Sequence, residues 1–252
     1  MLSTSAQAAY DGGWKVQPLH TPPRRLNFRP WPADSFLGML SREALQELES
    51  MVSISEHKAG DTLFMEQQLL PGVFIVLAGD VRLSLNDAGG RGLTVHIAKR
   101  GSVLGAHSAL FASPSDWTAD TLYFSKIAFV KLNDFLRFAD RYPEAYRLAT
   151  IELTRTLRYT CRTLRMVGLS CCVRKRLASQ LLAWGEQGNK SGDQTQYCLV
   201  LTHAQIAEFI GAVRETVTRA MTAFKKRGLV DIRGTVLTIP STTALRRYAE
   251  RP

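Results

Sequence analysis

Residues 202–239 constrain this chain more than any other stretch. Thr202-His203-Ala204-Gln205 has the form of a capping box, in which a Thr and a Gln three residues later each satisfy a free backbone N–H of the other. The helix begun there carries Ile206, Ala207, Phe209 and Ile210 inward and stops at Gly211. After a short turn, Val213, Val217, Ala220, Met221 and Phe224 recur at helical spacing and predict one buried stripe. Arg214, Glu215, Thr218, Arg219 and Thr222 are left for the opposite face. Gly228 with Leu229 behind it supplies a C-terminal cap. Residues 230–232 and 236–239, joined through Arg233-Gly234-Thr235, predict a hairpin. Two short helices around a Gly-containing turn, a charged second helix and a basic hairpin describe a winged helix-turn-helix.

That motif suits double-stranded DNA. Arg donates two hydrogen bonds to guanine and Glu accepts from cytosine N4 in the major groove. Arg214, Glu215 and Arg219 lie near the N-terminal end of the second helix and are the predicted base readers. Thr202, Thr216, Lys225, Lys226 and Arg233 are predicted to meet phosphates, which position without specifying. The competing reading is a solvated face, since Glu215 and Arg219 also have ion-pair spacing.

Charge agrees with the DNA reading. The net charge is +10, and residues 173–252 hold thirteen Lys/Arg against six acids, a net +7. A polyanion is the partner such an excess favours. Hydrophobic residues at 45% and charged residues at 21% are ordinary for a folded chain and argue against disorder. Four cysteines (Cys161, Cys171, Cys172, Cys198) have neither disulfide-framework nor zinc-ribbon spacing. Neither a signal peptide nor a membrane-length apolar run is apparent, so a cytoplasmic protein without a membrane partner is expected. No nucleophile–base pair, metal cluster or phosphate loop of known spacing occurs, so an enzyme is not expected.

Upstream the pattern changes. Residues 1–34 read as an arm: Pro18, Pro22, Pro23, Pro30 and Pro32 block regular helix, and Trp14, Phe28 and Trp31 are available to dock it. A short helix is predicted over 41–51, with Ser41 as cap and Ala44, Leu45 and Leu48 inward. Between residues 57 and 131, short apolar runs at 62–65, 73–77, 81–85, 93–97 and 127–130 alternate with turn signals at Gly60-Asp61, Pro71-Gly72, Gly79-Asp80 and Gly89-Gly90. That is an antiparallel β domain. Pro143 opens a long helix to about Leu169. Leu153, Leu157, Thr160, Leu164 and Val167, with Tyr146 and Thr150, form a seam of 3.5-residue period suited to pairing with a twin helix. Residues 173–184 predict a further helix, 187–196 a polar loop and 197–201 a short strand.

The run Gly211-Ala212-Val213-Arg214-Glu215-Thr216-Val217-Thr218-Arg219 resembles the recognition-helix signature of the Crp/Fnr superfamily. The resemblance extends more loosely over residues 35–245, through the glycines of the β domain and the long helix. It implies an α+β protein: an N-terminal antiparallel β-roll of jelly-roll, cyclic-nucleotide-binding-like type, a long dimerisation helix, and a C-terminal winged helix-turn-helix. The resulting division is an arm (1–34), a sensor-type roll (35–142), a dimerisation helix with hinge (143–170) and a DNA-binding domain (171–252). The resemblance further implies a homodimer reading a palindrome with recognition helices in successive major grooves, and contact with RNA polymerase. The Arg/Glu/Arg trio resembles the cyclic-AMP-receptor branch, which implies TGTGA-like half-sites.

Cyclic-nucleotide members of the family need a carboxylate and an Arg after the roll's glycine. Here Ala106 or His107 takes the place of the first and Asp116 or Trp117 that of the second, with no Lys or Arg between Arg100 and Lys126. A buried phosphate without a cation is costly, so cyclic AMP is not the expected effector. Gly105, Ala106, His107, Ser108, Trp117, Thr118 and Cys161 are the candidate effector-pocket residues, with Phe111 and Tyr123 as further apolar candidates. The family's iron–sulfur sensors use N-terminal cysteines, and none precedes Cys161. Haem ligation by His96 or His107 is an option, although a lone His in a β domain is more often simply hydrogen-bonded. Cys161, Cys171 and Cys172 are candidate redox thiols set against inert ones. An alternative function is an effector-independent regulator whose roll is a dimer or protein-contact scaffold.

Overall fold

A computed structural model of the chain describes residues 31–87, 92–169, 172–186 and 188–250. Most of the expected arm (including Trp14 and Phe28), the Gly89-Gly90 turn and Cys171 lie outside these residues. At the described end of the arm, Trp31 lies under the Arg100 guanidinium, 4.1 Å from the ring centroid, and Phe36 and Leu37 are buried.

Helix α1 (Arg42–Met51) is capped by Ser41, whose Oγ accepts from the Ala44 N–H at 3.3 Å, as predicted. Eight strands follow: β1 (Ser53–His57), β2 (Thr62–Phe64), β3 (Gly72–Ala78), β4 (Val81–Asn86), β5 (Gly92–Ala98), β6 (Val103–Leu104), β7 (Thr118–Thr121) and β8 (Ser125–Lys131). They pair antiparallel into two four-stranded sheets, ordered β1-β8-β3-β6 and β2-β7-β4-β5. Side-chain alternation decides what fills each space. In β3, Phe74 and Val76 enter the cluster between the sheets with Leu63, Leu83 and Ala119. Val73 and Ile75 point the other way, into a cluster with helical residues Leu48, Phe135, Phe138 and Leu148.

Five elements of this domain differ from the sequence expectation. Strands β1, β6 and β7 are additional. A short helix α2 (Ala106–Phe111) carries several of the candidate pocket residues, and α3 (Leu132–Arg141) precedes the long helix. Helix α4 (Glu144–Leu169) then runs as predicted.

The C-terminal unit comprises α5 (Val173–Gly185), β9 (Asn189–Ser191), β10 (Gln194–Cys198), α6 (His203–Ile210), α7 (Arg214–Lys226), β11 (Asp231–Arg233), β12 (Val236–Ile239) and α8 (Thr242–Glu250). Its strands form one sheet, β11-β12-β10-β9. The predicted loop at 187–196 is therefore corrected to a β9–β10 hairpin, and the strand expected at 197–201 begins earlier and ends at Cys198. Helix α8 was not predicted, because its start is fixed from a distance. Asp193 in the β9–β10 turn accepts from Ser241 Oγ, Thr242 Oγ1 and the Thr243 N–H. Among the described residues, no helix is long and apolar enough to cross a membrane.

Candidate nucleic-acid interface

The predicted capping box is present in both directions. Thr202 Oγ1 accepts from the Gln205 N–H at 3.2 Å, and Gln205 Oε1 accepts from the Thr202 N–H at 2.8 Å. Helix α6 ends at Gly211 in the left-handed region, φ +58°. The three-residue turn to α7 leaves Val213 as that helix's N-cap. Val213 is corrected from the buried stripe: it is 49% exposed, while Val217, Ala220, Met221 and Phe224 are buried. An N-cap lies outside the helical rotation, so the periodicity no longer dictates its face.

At about 100° per residue, those four buried side chains cover an arc of about 100°. Arg214, Thr218, Thr222, Glu215 and Arg219 fall in an arc of about 140° on the other side, together with Lys225 and Lys226. Arg214, Glu215 and Arg219 are all exposed. Among the described residues, Glu215 has no ion-pair partner within 4 Å, so the i,i+4 pair with Arg219 is not made. Arg219 Nη2 instead donates to Thr216 Oγ1 at 3.4 Å. Thr202, Lys225, Lys226 and Arg233 are exposed and Thr216 half-buried. In the hairpin, Arg233 Nε pairs with Asp231 Oδ2 at 3.1 Å. Sequence reasoning missed His203, whose Nδ1 meets Thr218 Oγ1 at 2.9 Å and ties the two helices together on this face. Its position in the first turn of α6, inside the capping box, was the available signal.

Helix α7 closes with two bonds of the Schellman pattern: the Leu229 N–H donates to Phe224 O and the Gly228 N–H to Lys225 O, both at 3.0 Å. Gly228 takes φ +66°, and β11 follows three residues later.

The candidate effector residues are only partly gathered. Gly105, Ala106, His107 and Trp117 line a cavity of about 30 Å³, bounded on the other side by Glu152, Leu153 and Thr156 of α4. Ser108 is buried with its Oγ 3.1 Å from His107 Nε2. Thr118 turns its Oγ1 toward the Glu66 N–H and Asn86 Nδ2 and does not line the cavity. Cys161 is exposed and is not part of the cavity wall, and Phe111 is 73% exposed. Tyr123 is likewise absent from the wall.

Glu152 is a group the sequence reading passed over. Its buried carboxylate pairs with Arg155 Nη1 at 2.9 Å, and burial raises its pKa above the ordinary carboxylate range. No Lys or Arg is among the described residues lining this cavity. His107 packs edge-on against Trp117 at 4.7 Å and lies 3.5 Å from Asp116 Oδ2. His96 stands apart, stacked on Tyr159 of α4. Among the described residues no group of three or more His, Cys, Asp or Glu is arranged to hold a metal ion.

On α4, Leu153, Leu157 and Leu164 are exposed. Thr150 and Thr160 return their hydroxyls to the carbonyls of Tyr146 and Thr156, which leaves their methyl groups outward. Val167 is corrected from that stripe: its methyls lie against Gly211 of the same chain.

A jelly-roll sensor-type domain, a long helix with an exposed apolar stripe and a winged helix-turn-helix with a free basic face define a DNA-binding transcription regulator. Comparison with known proteins agrees. Residues 175–248 match the Crp-like helix-turn-helix domain model, and residues 54–142 match the cyclic nucleotide-binding domain model. The chain is 28% identical over 210 residues to a CRP-like cAMP-activated global transcriptional regulator of Mycobacterium tuberculosis, covering 82% of this chain and 92% of that one. It is 28% identical over 181 residues to the transcriptional regulator SdrP of Thermus thermophilus, covering 69% and 82%. The fold is similar to the c-di-GMP-responsive global regulator CLP of Xanthomonas campestris, with a TM-score of 0.70, 15% identity, and coverage of 80% of this chain and all of that one. The chain belongs to the Crp/Fnr superfamily of transcription regulators.

Proposed function

We propose that this chain acts as a homodimer on a palindromic DNA site with TGTGA-like half-sites. Arg214, Glu215 and Arg219 read base edges, and Thr202, Thr216, Lys225, Lys226 and Arg233 hold phosphates. The observation that carries the reading is the exposed placement of the Arg/Glu/Arg trio opposite the buried stripe of α7. The Leu153, Leu157 and Leu164 stripe supports pairing of α4 with its twin, because a lone helix gains nothing from exposed leucines at this spacing. RNA polymerase is the further partner this role implies, and the cytoplasm its setting.

Cyclic AMP is not the effector in this reading, although the mycobacterial relative is described as cAMP-activated. The equivalent cavity offers Glu152 in place of a cation, and its volume of about 30 Å³ is well below the ~300–1,000 Å³ of a small-molecule site. An unidentified effector that opens this cavity is one form of control. The same small volume favours a second reading, in which the roll is a scaffold and DNA binding needs no small molecule.

Selection of bound sites from random duplex DNA, with and without cell extract at fixed salt, tests these points together. Paired TGTGA-like half-sites are expected. Arg219→Ala should relax preference at one base, whereas Lys225→Ala should weaken all sequences alike and flatten the salt slope by about one. Unchanged half-site preference in Glu215→Ala refutes the base-reading assignment. Tight binding by ligand-free protein supports the scaffold reading, and binding only after extract is added rejects it.

A further inference from the structure

Helix α6 is fastened at its C-terminal end from two directions. On the roll side, Arg82 of β4 reaches across and pairs through Nη1 with Glu208 of α6. Its Nη2 donates to Asp120 Oδ2 of β7 at 3.0 Å. The three side chains are 20%, 29% and 14% exposed, so this is a largely buried charge cluster, at the edge of an open cavity that Arg82 and Asp120 also line. On the other side, Arg176 of α5 donates through Nη1 to Val167 O, near the end of α4, and through Nη2 to Gly211 O, each at 3.4 Å. Between the two clasps, the C-terminal end of α6 packs closely against α4 and β5. A Cβ on Gly211 would come within 3.1 Å of both Val167 methyls and 3.7 Å of Leu93 of β5. Ile97 of β5 and Met166 of α4 pack onto the core cluster of the winged helix-turn-helix.

These contacts have a consequence for DNA reading. Helix α7 shares one core with α6, so fixing α6 against β4 and α4 fixes the recognition helix relative to the helix that carries the apolar stripe. We propose that Arg82 and Arg176 are positioning residues that set the distance and rotation between the two recognition helices of the dimer. The proposal rests on the homodimer reading above. A spacer changed by one base pair moves a half-site by about 3.4 Å and turns it by about 35° around the duplex. A pair of recognition helices held by both clasps accepts one spacer; a pair released from either accepts several.

The test uses full-length protein and duplexes carrying two wild-type-selected half-sites, with spacers from two base pairs shorter to two longer than the optimum. Wild type should prefer one spacer. R82M and R176M should each bind the optimal spacer about tenfold more weakly yet hold its neighbours within about threefold of it, the outcome of losing orientation while keeping the base contacts. R82K keeps a cation for Glu208 and should recover the preference in part; E208Q, which retains the side chain without its charge, should behave like R82M. A merely structural role lowers affinity at all spacers together and leaves the preference intact. A sharp wild-type preference shared by R82M, E208Q and R176M overturns this proposal alone. A wild type with no spacer preference overturns the homodimer reading and this proposal with it.

Discussion

His96 gives the joint between roll and long helix a pH dependence that can be worked out in advance. Its ring stacks on Tyr159 with centroids 4.3 Å apart and planes at 22°. Burial, and then the charges of Lys99 and Arg155, push its pKa from 6.5 down to about 4. The folded protein therefore binds fewer protons than the unfolded chain between those two values. Stability associated with neutral His96 is complete above pH 6.5 and is lost as pH falls toward about 4. A solution at about pH 5 lies about 1.5 units below the unfolded value and still above the folded one. At about 1.36 kcal/mol per unit, the loss there is about 2 kcal/mol, equivalent to ~4–8 °C in Tm for a chain of this size. His96→Phe keeps an aromatic ring over Tyr159 and removes the proton site. Thermal unfolding of both proteins near pH 7.5 and near pH 5 isolates the contribution, since other titrating groups cancel in the comparison. Wild type should lose those ~4–8 °C beyond whatever the variant loses. An equal loss in both refutes the account, as does an NMR titration placing the His96 imidazole near its ordinary pKa.

Further outcomes follow from packing and capping. Leu157→Arg puts a charge in the exposed apolar stripe and should yield a monomer by sedimentation that no longer binds the paired half-sites; an unchanged mass refutes the seam. Thr202→Ala removes one of the two reciprocal bonds that start α6 and should cost about 1 kcal/mol by urea unfolding, with no change in β-roll fluorescence. Gly211→Ala meets both a positive φ and the Val167 methyls, whereas Gly60→Ala meets positive φ with open space around it. Each should lose about 1–2 kcal/mol from backbone strain, and Gly211→Ala more; equal losses in a paired unfolding measurement refute the close approach to Val167.

The recognition unit was legible because its signals are local. A capping box spans four residues, and the stripe from Val217 to Phe224 repeats within one helix. What escaped was fixed by distant partners or by the loss of a regular period. Asn189, Lys190 and Ser191 form a strand with all three side chains exposed, so no alternation marks it. Asp193 starts α8 from 48 residues away, through Ser241. Leu132–Arg141 has no side-chain cap at Lys131, which hid its start despite Phe135 and Phe138 at helical spacing. For the pocket, the roll glycines indicated the location but not the opposite wall. Which residues of α4 face it depends on that helix's rotation, and this brings Glu152 and Thr156 in and leaves Cys161 out. The pairing of Arg82 with Glu208 joins positions 126 apart, a relation no sequence period encodes.

The closing turn of α7 also limits how this protein can change over evolutionary time. One left-handed residue, Gly228, together with the two bonds beside it, both finishes the recognition helix and aims the chain into the hairpin. Insertions or deletions there cannot be absorbed as slack, because one added residue redirects the hairpin while the helix keeps its place. Drift in chain length should therefore spare the stretch from Phe224 to Val230. New sites would be acquired by exchanging side chains on a fixed frame.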